Sequence, residues 1–423
     1  MPHVAQSAVV RVLQALTDAR NIVPGDRVPV RPHILLLGPR DGLAALKAFR
    51  IAGHQRVAEP ERIILFTPDN LPLDAAGETA RKQLLEAARQ AGITRLIPAA
   101  GGEVAHALES GLVAPGECAA SGLPEIHALG GFGALGLRLT ALDLAQLMAG
   151  KPVHVTVPET VRVDLTGQRQ KLVGGRDVFW SLRREAGRNV LAGRALEVGG
   201  PGLEGLQLHE RAALSSLGAH AGLFSCFCVP DRGAVTELNR VLQRPYTTLE
   251  PERGVQYVHR AEVSLANAQL TVIPPDGADA WRTISEASGE PLDCVVIGGE
   301  GSGSLHAMRL TAEIVRQRKL GHTRCVAIPD TRAVYASALD EGIVQHLVDA
   351  GVEVHAPGTS AAGLVLPMQR AMFTTVTAPQ GAWRAGILAA ATAACAGAIM
   401  HPDRLDAQPQ RDSKLSSRRP KAE

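Results

Sequence analysis

Residues 293–304 read Asp-Cys-Val-Val-Ile-Gly-Gly-Glu-Gly-Ser-Gly-Ser and lead into a charged amphipathic stretch. The run predicts a buried strand, a glycine-serine loop and a helix. Backbone N–H groups at a helix start are unpaired and suit a carboxylate or a phosphate. Ser302 or Ser304 can instead cap the helix, leaving a turn that binds nothing. Glu300 is the one ionisable side chain of the loop and the candidate general base. No Lys-Ser or Lys-Thr closes the loop, so it is not a nucleotide-binding P-loop. A second loop, Pro357-Gly-Thr-Ser-Ala-Ala-Gly363, has the same small, hydroxyl-rich make-up and also follows a strand-like run. Loops at the carboxyl ends of neighbouring parallel strands face one crevice, where open α/β sheets bind ligands. Thr359 and Ser360 therefore join Ser302 and Ser304 as candidate donors to an anion. Arg332 or Arg370 is the candidate cation for a carboxylate.

Other motifs carry less chemistry. Fourteen histidines include no His-Glu-x-x-His and no pair at ligand spacing beside a carboxylate. His127, His306 and His355 read as surface or hydrogen-bonded histidines. No Gly-x-Ser-x-Gly elbow supports a hydrolase triad. Cys226-x-Cys228 reads as two strand cysteines before it reads as a metal site. The six cysteines are scattered, which fits reduced thiols and a cytoplasmic protein. Gly130-Gly-Phe-Gly-Ala-Leu-Gly136 lies between no clear strand and helix, so its glycines are read as permitting close backbone packing.

The surrounding elements must position these loops. A chain of 423 residues implies two or three cores. A net charge of +2 gives no case for nucleic acid or an anionic membrane. Short apolar runs at 33–37 and 62–66 predict buried strands, each followed by a helical stretch, at 41–52 and 76–92. That alternation implies a mostly parallel sheet covered on both faces. Strict alternation at 153–157 and 161–165 marks a change of pattern. The expected division is a first α/β domain over 1–152, a second over 153–285 and a third over 286–402. Pro274-Pro275 is the expected linker. The uncharged run Ala385–Met400 is short for a membrane span and fits a buried helix. Residues 403–423 are polar without periodicity and are expected to form a disordered tail.

Several segments then resemble, in order, the large subunit of isopropylmalate dehydratase in the aconitase superfamily. They are Gly111-Leu-Val-Ala-Pro-Gly-Glu117, Gly130–Leu135, Val157-Pro-Glu-Thr-Val-Arg-Val-Asp-Leu-Thr-Gly167, Arg176-Asp-Val-Phe-Trp180, Ala195–Leu206, Glu210-Arg211, Gly218–Phe224 and Gly342–Gly358. The resemblance spans about residues 1–402. It implies an aconitase-like fold of three α/β/α domains with mostly parallel sheets around a central cleft. It also implies a separate small, swivelling subunit as partner, within a homo- or hetero-oligomer. The family's iron–sulfur cluster hangs on three cysteines. By this resemblance Glu300, Thr359 and Ala362 occupy their places, so the cluster is expected to be absent and no other cofactor is implied. The family's Asp-Ser-His triplet falls on Leu123-Pro124-Glu125 and its Asp-His pair near Pro68-Asp69. Its early His-Asp falls on Arg40-Asp41, and its late Ser-Asn-Arg near Thr375-Val376-Thr377. Thr331 replaces a family serine and is counted among the substrate-binding candidates. Two functions remain open. One is a cluster-free lyase or isomerase type of enzyme acting on a small carboxylate. The other is a non-catalytic subunit that binds or scaffolds a small subunit or an active homologue.

Overall fold

The computed structural model describes residues 4–68, 75–99, 101–277, 280–316, 318, 320, 322–375 and 378–405. Three mostly parallel sheets organise them. The first runs in the order Arg95–Pro98, Ile63–Thr67, Ile34–Leu37, Cys118–Ser121, Leu135–Arg138, all parallel. The second runs Ser225–Cys228, Ala195–Gly199, Thr160–Thr166, His259–Ser264, again all parallel. The third runs Arg282–Thr283, Thr271–Ile273, Trp383–Ala385, Ala371–Phe373, Cys294–Gly298, Arg324–Ile328, Glu353–Val354. Its Thr271–Ile273 strand is antiparallel to both neighbours.

The apolar runs explain the layers. In the first sheet Leu35, Leu37, Ile63 and Leu65 pack into one core, while Ile34, Leu36, Ile64 and Phe66 pack into the core on the other face. The third sheet divides in the same way: Val295 and Ile297 face one core, Val296 and Ile328 the other. A strand buried on both faces reads as a continuous apolar run, which is why these strands are visible in the sequence. The second sheet differs. One face is apolar, through Val161, Val163, Leu196 and Val198. On the other, the fully buried carboxylate of Glu197 accepts from Arg162 Nη1 at 3.0 Å, the Tyr257 hydroxyl at 2.5 Å and the Ala8 N–H at 2.8 Å.

Strand pairing crosses the expected domain divisions. Val153–Thr156 pairs antiparallel with Arg27–Val30, and its valines join the core of the first unit. Alternation of exposed and buried residues showed a half-buried strand but not which sheet it would meet. Thr271–Ile273 and Arg282–Thr283 both enter the third sheet, ahead of residue 286. Pro274-Pro275 is therefore a turn within that sheet and not a linker, since a strand reversal and a linker carry the same Pro signal. Ala385–Met400 resolves into the end of a strand and the helix Ile387–Ala396, whose Ala389–Ala394 are buried. A helical turn spans Pro402–Leu405 and buries Leu405, so ordered chain continues past 403. The rest of the expected tail, 406–423, lies outside the described residues.

The glycine-rich segment packs backbone on backbone. The turn Pro124–Phe132 lies against the helix Leu208–Ser216 and the strand Ser225–Cys228. A Cβ on Gly130 would stand 1.7 Å from the Cys226 carbonyl oxygen, and one on Gly136 2.0 Å from that of Ile126. Gly130→Ala should therefore destabilise the protein by roughly 1–3 kcal/mol or more through overpacking. Gly205→Ala, where a Cβ meets nothing within 4 Å, should stay within about 0.5 kcal/mol. Denaturant titration of both variants checks the contrast.

Candidate active site

The three units enclose a cleft of about 1420 Å³. Both predicted loops line it, through Glu300, Ser302 and Ser304 from one and Thr359, Ser360 and Ala362 from the other. The backbone at Gly298, Gly299, Glu300 and Gly301 has φ of 90°, 75°, 48° and 82°. Glycine adopts this region freely, but Glu300 is strained there by about 1 kcal/mol or more.

Asp330 holds the loop in this shape. Its Oδ1 accepts from the N–H groups of Gly301, Ser302 and Gly303 at 3.0, 3.0 and 2.8 Å. The Asp330 N–H donates back to the Gly303 carbonyl at 2.9 Å, and the Ile328 carbonyl accepts from the Gly299 N–H at 2.8 Å. Each hydrogen bond to a carboxylate contributes about 1.5–3 kcal/mol, so the three together outweigh the strain at Glu300. This corrects the expected anion cradle. The anion those N–H groups hold is a carboxylate of the protein itself.

Several expected substrate contacts are also engaged inside the protein. Ser302 is buried; its hydroxyl donates to the Thr374 carbonyl at 2.9 Å and accepts from Arg176 Nη2 at 2.6 Å. Ser304 accepts from the Ala307 N–H at 3.2 Å and so caps the helix Leu305–Arg316. Thr331 caps the helix Arg332–Asp340 and donates to Glu109 Oε2 at 2.7 Å; it is buried and does not line the cleft. Arg332 is exposed and lies off the cleft. Arg370 also lies off it, forked onto Asp293 at 3.0 and 2.6 Å. Asp293 stands at the start of the strand that ends in the Glu300 loop, so the pair ties the far end of that strand. Thr359 lines the cleft while its hydroxyl donates to the Ala356 carbonyl at 2.7 Å; Ser360 is exposed on the same wall.

The first unit supplies an acidic wall that the sequence reading left almost unmarked. It consists of Asp41, Glu103 and Glu125. Glu103 opens the helix Glu103–Glu109, behind Gly101 and Gly102. A Cβ on those glycines would strike Gly358 Cα at 2.4 Å and the Asp330 carbonyl at 2.0 Å, so only glycine lets this segment reach the third unit. Burial pushes the Glu103 carboxyl up to about 7, with Asp41 and Glu300 adding repulsion. Burial pushes Glu125 to about 8, again with Glu300 and Glu103 contributing. Asp41 and Glu300 are raised by burial too, but Arg40 beside Glu300 favours its charged form. Asp41 Oδ1 is buried without a hydrogen-bond partner. Glu125 carried one signal, its place where the related family has histidine; Glu103 carried none. Asp69, Val376 and Thr377 lie outside the described residues.

Thiols are elsewhere. Cys118, Cys226, Cys228, Cys294 and Cys325 are buried in strands, and Cys395 sits in the Ile387–Ala396 helix. None lines the cleft, and burial raises the pKa of all six. Iron–sulfur clusters need thiolates, and the cleft offers carboxyl, hydroxyl and methyl groups at the loop positions. The residues present do not fit that group. Among the described residues no three His, Cys, Asp or Glu side chains are grouped to hold a metal ion. No described helix is long and apolar enough to cross a membrane.

With this geometry in view, likeness to known proteins is informative. Residues 66–272 match the Aconitase family (aconitate hydratase). The chain is 27% identical over 427 residues to 3-isopropylmalate dehydratase large subunit 2 of Rubrobacter xylanophilus, covering 97% of this chain and 100% of that one. It is 29% identical over 426 residues to the corresponding large subunit of Nitratidesulfovibrio vulgaris, covering 95% and 100%. A solved structure, the holo form of Thermococcus kodakaraensis aconitase X, overlaps 87% of this chain and 89% of its own at a TM-score of 0.48 and 14% identity. The chain carries an aconitase-family domain in a mostly parallel α/β fold. More narrowly, it is similar to 3-isopropylmalate dehydratase large subunits along nearly its whole length.

The acidic wall has a measurable consequence. Glu103 and Glu125 bind protons more tightly folded than unfolded, so their contribution to stability is lost as pH rises from about 4.5 through 7 and 8. Buried histidines such as His127 and His209, pushed down to about 4, act in the opposite sense but only below about 6.5. Glu109, raised by burial to about 7, acts in the same sense as Glu103 and Glu125. Between pH 6.5 and 8.5 the protein should therefore lose roughly 3 kcal/mol of stability. Glu125→Gln should remove about half of that slope in urea titrations at the two pH values.

Proposed function

We propose that this large-subunit homologue works without an iron–sulfur cluster and performs acid–base chemistry on a small carboxylate bound in the cleft. The observation that carries this reading is a pair of buried carboxyls in one cleft, of which only Glu300 has a cation beside it. Burial raises both, Glu125 to about 8, but at Glu300 the Arg40 guanidinium and a hydrogen bond with Thr375 oppose the rise and favour the ionised form. Environments that push two carboxyls apart divide them into acid and base. Glu300 takes a proton from carbon beside the activating carbonyl. The electron pair left behind forms the double bond, and a hydroxyl departs with the Glu125 proton as water. Such general acid–base steps contribute about 10²–10⁴ in rate each. The reaction class is a lyase or isomerase type, which agrees with the relatives' chemistry as dehydratases by name. A small-subunit partner goes with this reading, because those relatives are large subunits.

Two measurements test it. Iron and sulfide should be substoichiometric in protein purified without oxygen; a full cluster overturns the reading. Proton exchange of lactate, 3-hydroxybutyrate and malate in deuterium oxide, followed by NMR, should proceed with the wild-type chain. Glu300→Gln should slow it at least about 100-fold. Ligand binding without any exchange would favour the non-catalytic binding subunit instead.

A further inference from the structure

We infer that Arg176 anchors the ligand's carboxylate, and that the polarity of the cleft selects a single-carboxylate ligand with an uncharged hydroxyl or carbonyl at its other end. This rests on the proposed binding of a carboxylate in the cleft and names how it is held.

Arg176 is the second residue of the helix Gly175–Ala186. It lines the cleft, yet only 8% of it is exposed. Its Nη2 donates to the Ser302 hydroxyl at 2.6 Å. Among the described residues it makes no other hydrogen bond and no ion pair. Two carboxylates attract it from a distance, Asp330 and Asp177, but neither closes on it. Asp330 Oδ1 is occupied by the three loop N–H groups. Asp177 accepts from the Gly174 N–H at 3.0 Å and the Thr271 N–H at 2.9 Å. A buried guanidinium without an ion pair is costly unless something else pairs it. Its remaining edge is a planar fork of donors, the shape that a carboxylate matches with two parallel hydrogen bonds.

The other cations of the cleft are differently placed. Arg169 is paired with Glu210 at 2.5 Å. Arg81 is paired with Glu78 at 3.2 Å, and Arg318 donates to the Leu405 carbonyl. Arg40 is exposed and compensates Glu300. Lys171 is exposed at the cleft wall, where solvent weakens its attraction.

The facing wall fixes the other end of the ligand. Asp41, Glu103, Glu125 and Glu300 all raise one another or are raised by burial. A second carboxylate there would meet the charge of Glu300, and would have to be desolvated in a poorly solvated space without a cation to pair it. A hydroxyl or carbonyl would instead accept a hydrogen bond from a protonated carboxyl. Arg176 and this wall are joined through Ser302, two residues from Glu300 in the same loop, so both ends of a short molecule can be engaged together.

Isothermal titration of the full chain with lactate, 3-hydroxybutyrate, succinate, malate and citrate tests the inference. The two hydroxy-monocarboxylates should bind at least tenfold more tightly than the di- and tricarboxylates. Arg176→Lys should weaken them about tenfold and Arg176→Met more. Glu300→Gln tests the opposite wall even if the Arg176 variants fail to fold: by removing the charge that opposes a second carboxylate it should tighten succinate and malate at least fivefold. Equal or tighter binding of succinate, malate or citrate by the wild type overturns the inference while leaving the proposed function standing. So does unchanged lactate binding by folded Arg176→Met. Absence of binding by every carboxylate overturns both.

Discussion

One carboxylate oxygen underlies the geometry of the cleft. Asp330 Oδ1 draws three successive backbone N–H groups onto itself and so bends the segment after the Cys294–Gly298 strand. Burial lifts Asp330 to about 6, and the three bonds oppose that rise. Near neutral pH the carboxylate is therefore mostly ionised and able to hold all three. Every other placement follows. Glu300 is turned into a left-handed backbone conformation at the cleft. Ser302 is carried inward, where it meets both the Thr374 carbonyl and Arg176. Because Arg176 comes from the second unit and Asp330 from the third, the same cluster also links two units.

Charge in the cleft is consequently segregated. The third unit keeps its acid occupied by its own backbone, and the first unit presents carboxyls that hold protons near neutrality. The second unit presents a guanidinium held by a neutral hydroxyl instead of an acid. An ion pair between these walls would cancel both features. Among the described residues none forms, and the Arg176 guanidinium bonds to the Ser302 hydroxyl instead.

Much of this was readable in the chain, and the limit is sequence separation. Strands buried on both faces announce themselves as runs such as Ile34–Leu37 and Cys294–Gly298. The convergence of the 298–304 and 357–363 loops follows from parallel order alone, and so does the presence of Glu300 in the cleft. Resemblance to the large-subunit family gave the fold class. What could not be read depends on partners far apart in the chain. Asp330 lies 27 to 29 residues from the N–H groups it binds, and Arg370 lies 77 from Asp293. Arg176 entered the sequence reading only as the first residue of the Arg176–Trp180 segment shared with the large-subunit family. Only packing shows that its neighbours have already committed their oxygens. Pro274-Pro275 read as a linker because the sheet membership of Thr271–Ile273 before it is a tertiary fact.

The distribution of sulfur bears on how the protein meets oxidants. All six thiols are withdrawn into strands and one helix, and none borders the cleft. Burial disfavours the thiolate, which is the form that peroxide and alkylating reagents attack. The chemistry lining the cleft is carboxyl, guanidinium, hydroxyl and imidazole, which dioxygen leaves alone. Among the described residues the cleft lining therefore offers an oxidant no thiol to attack.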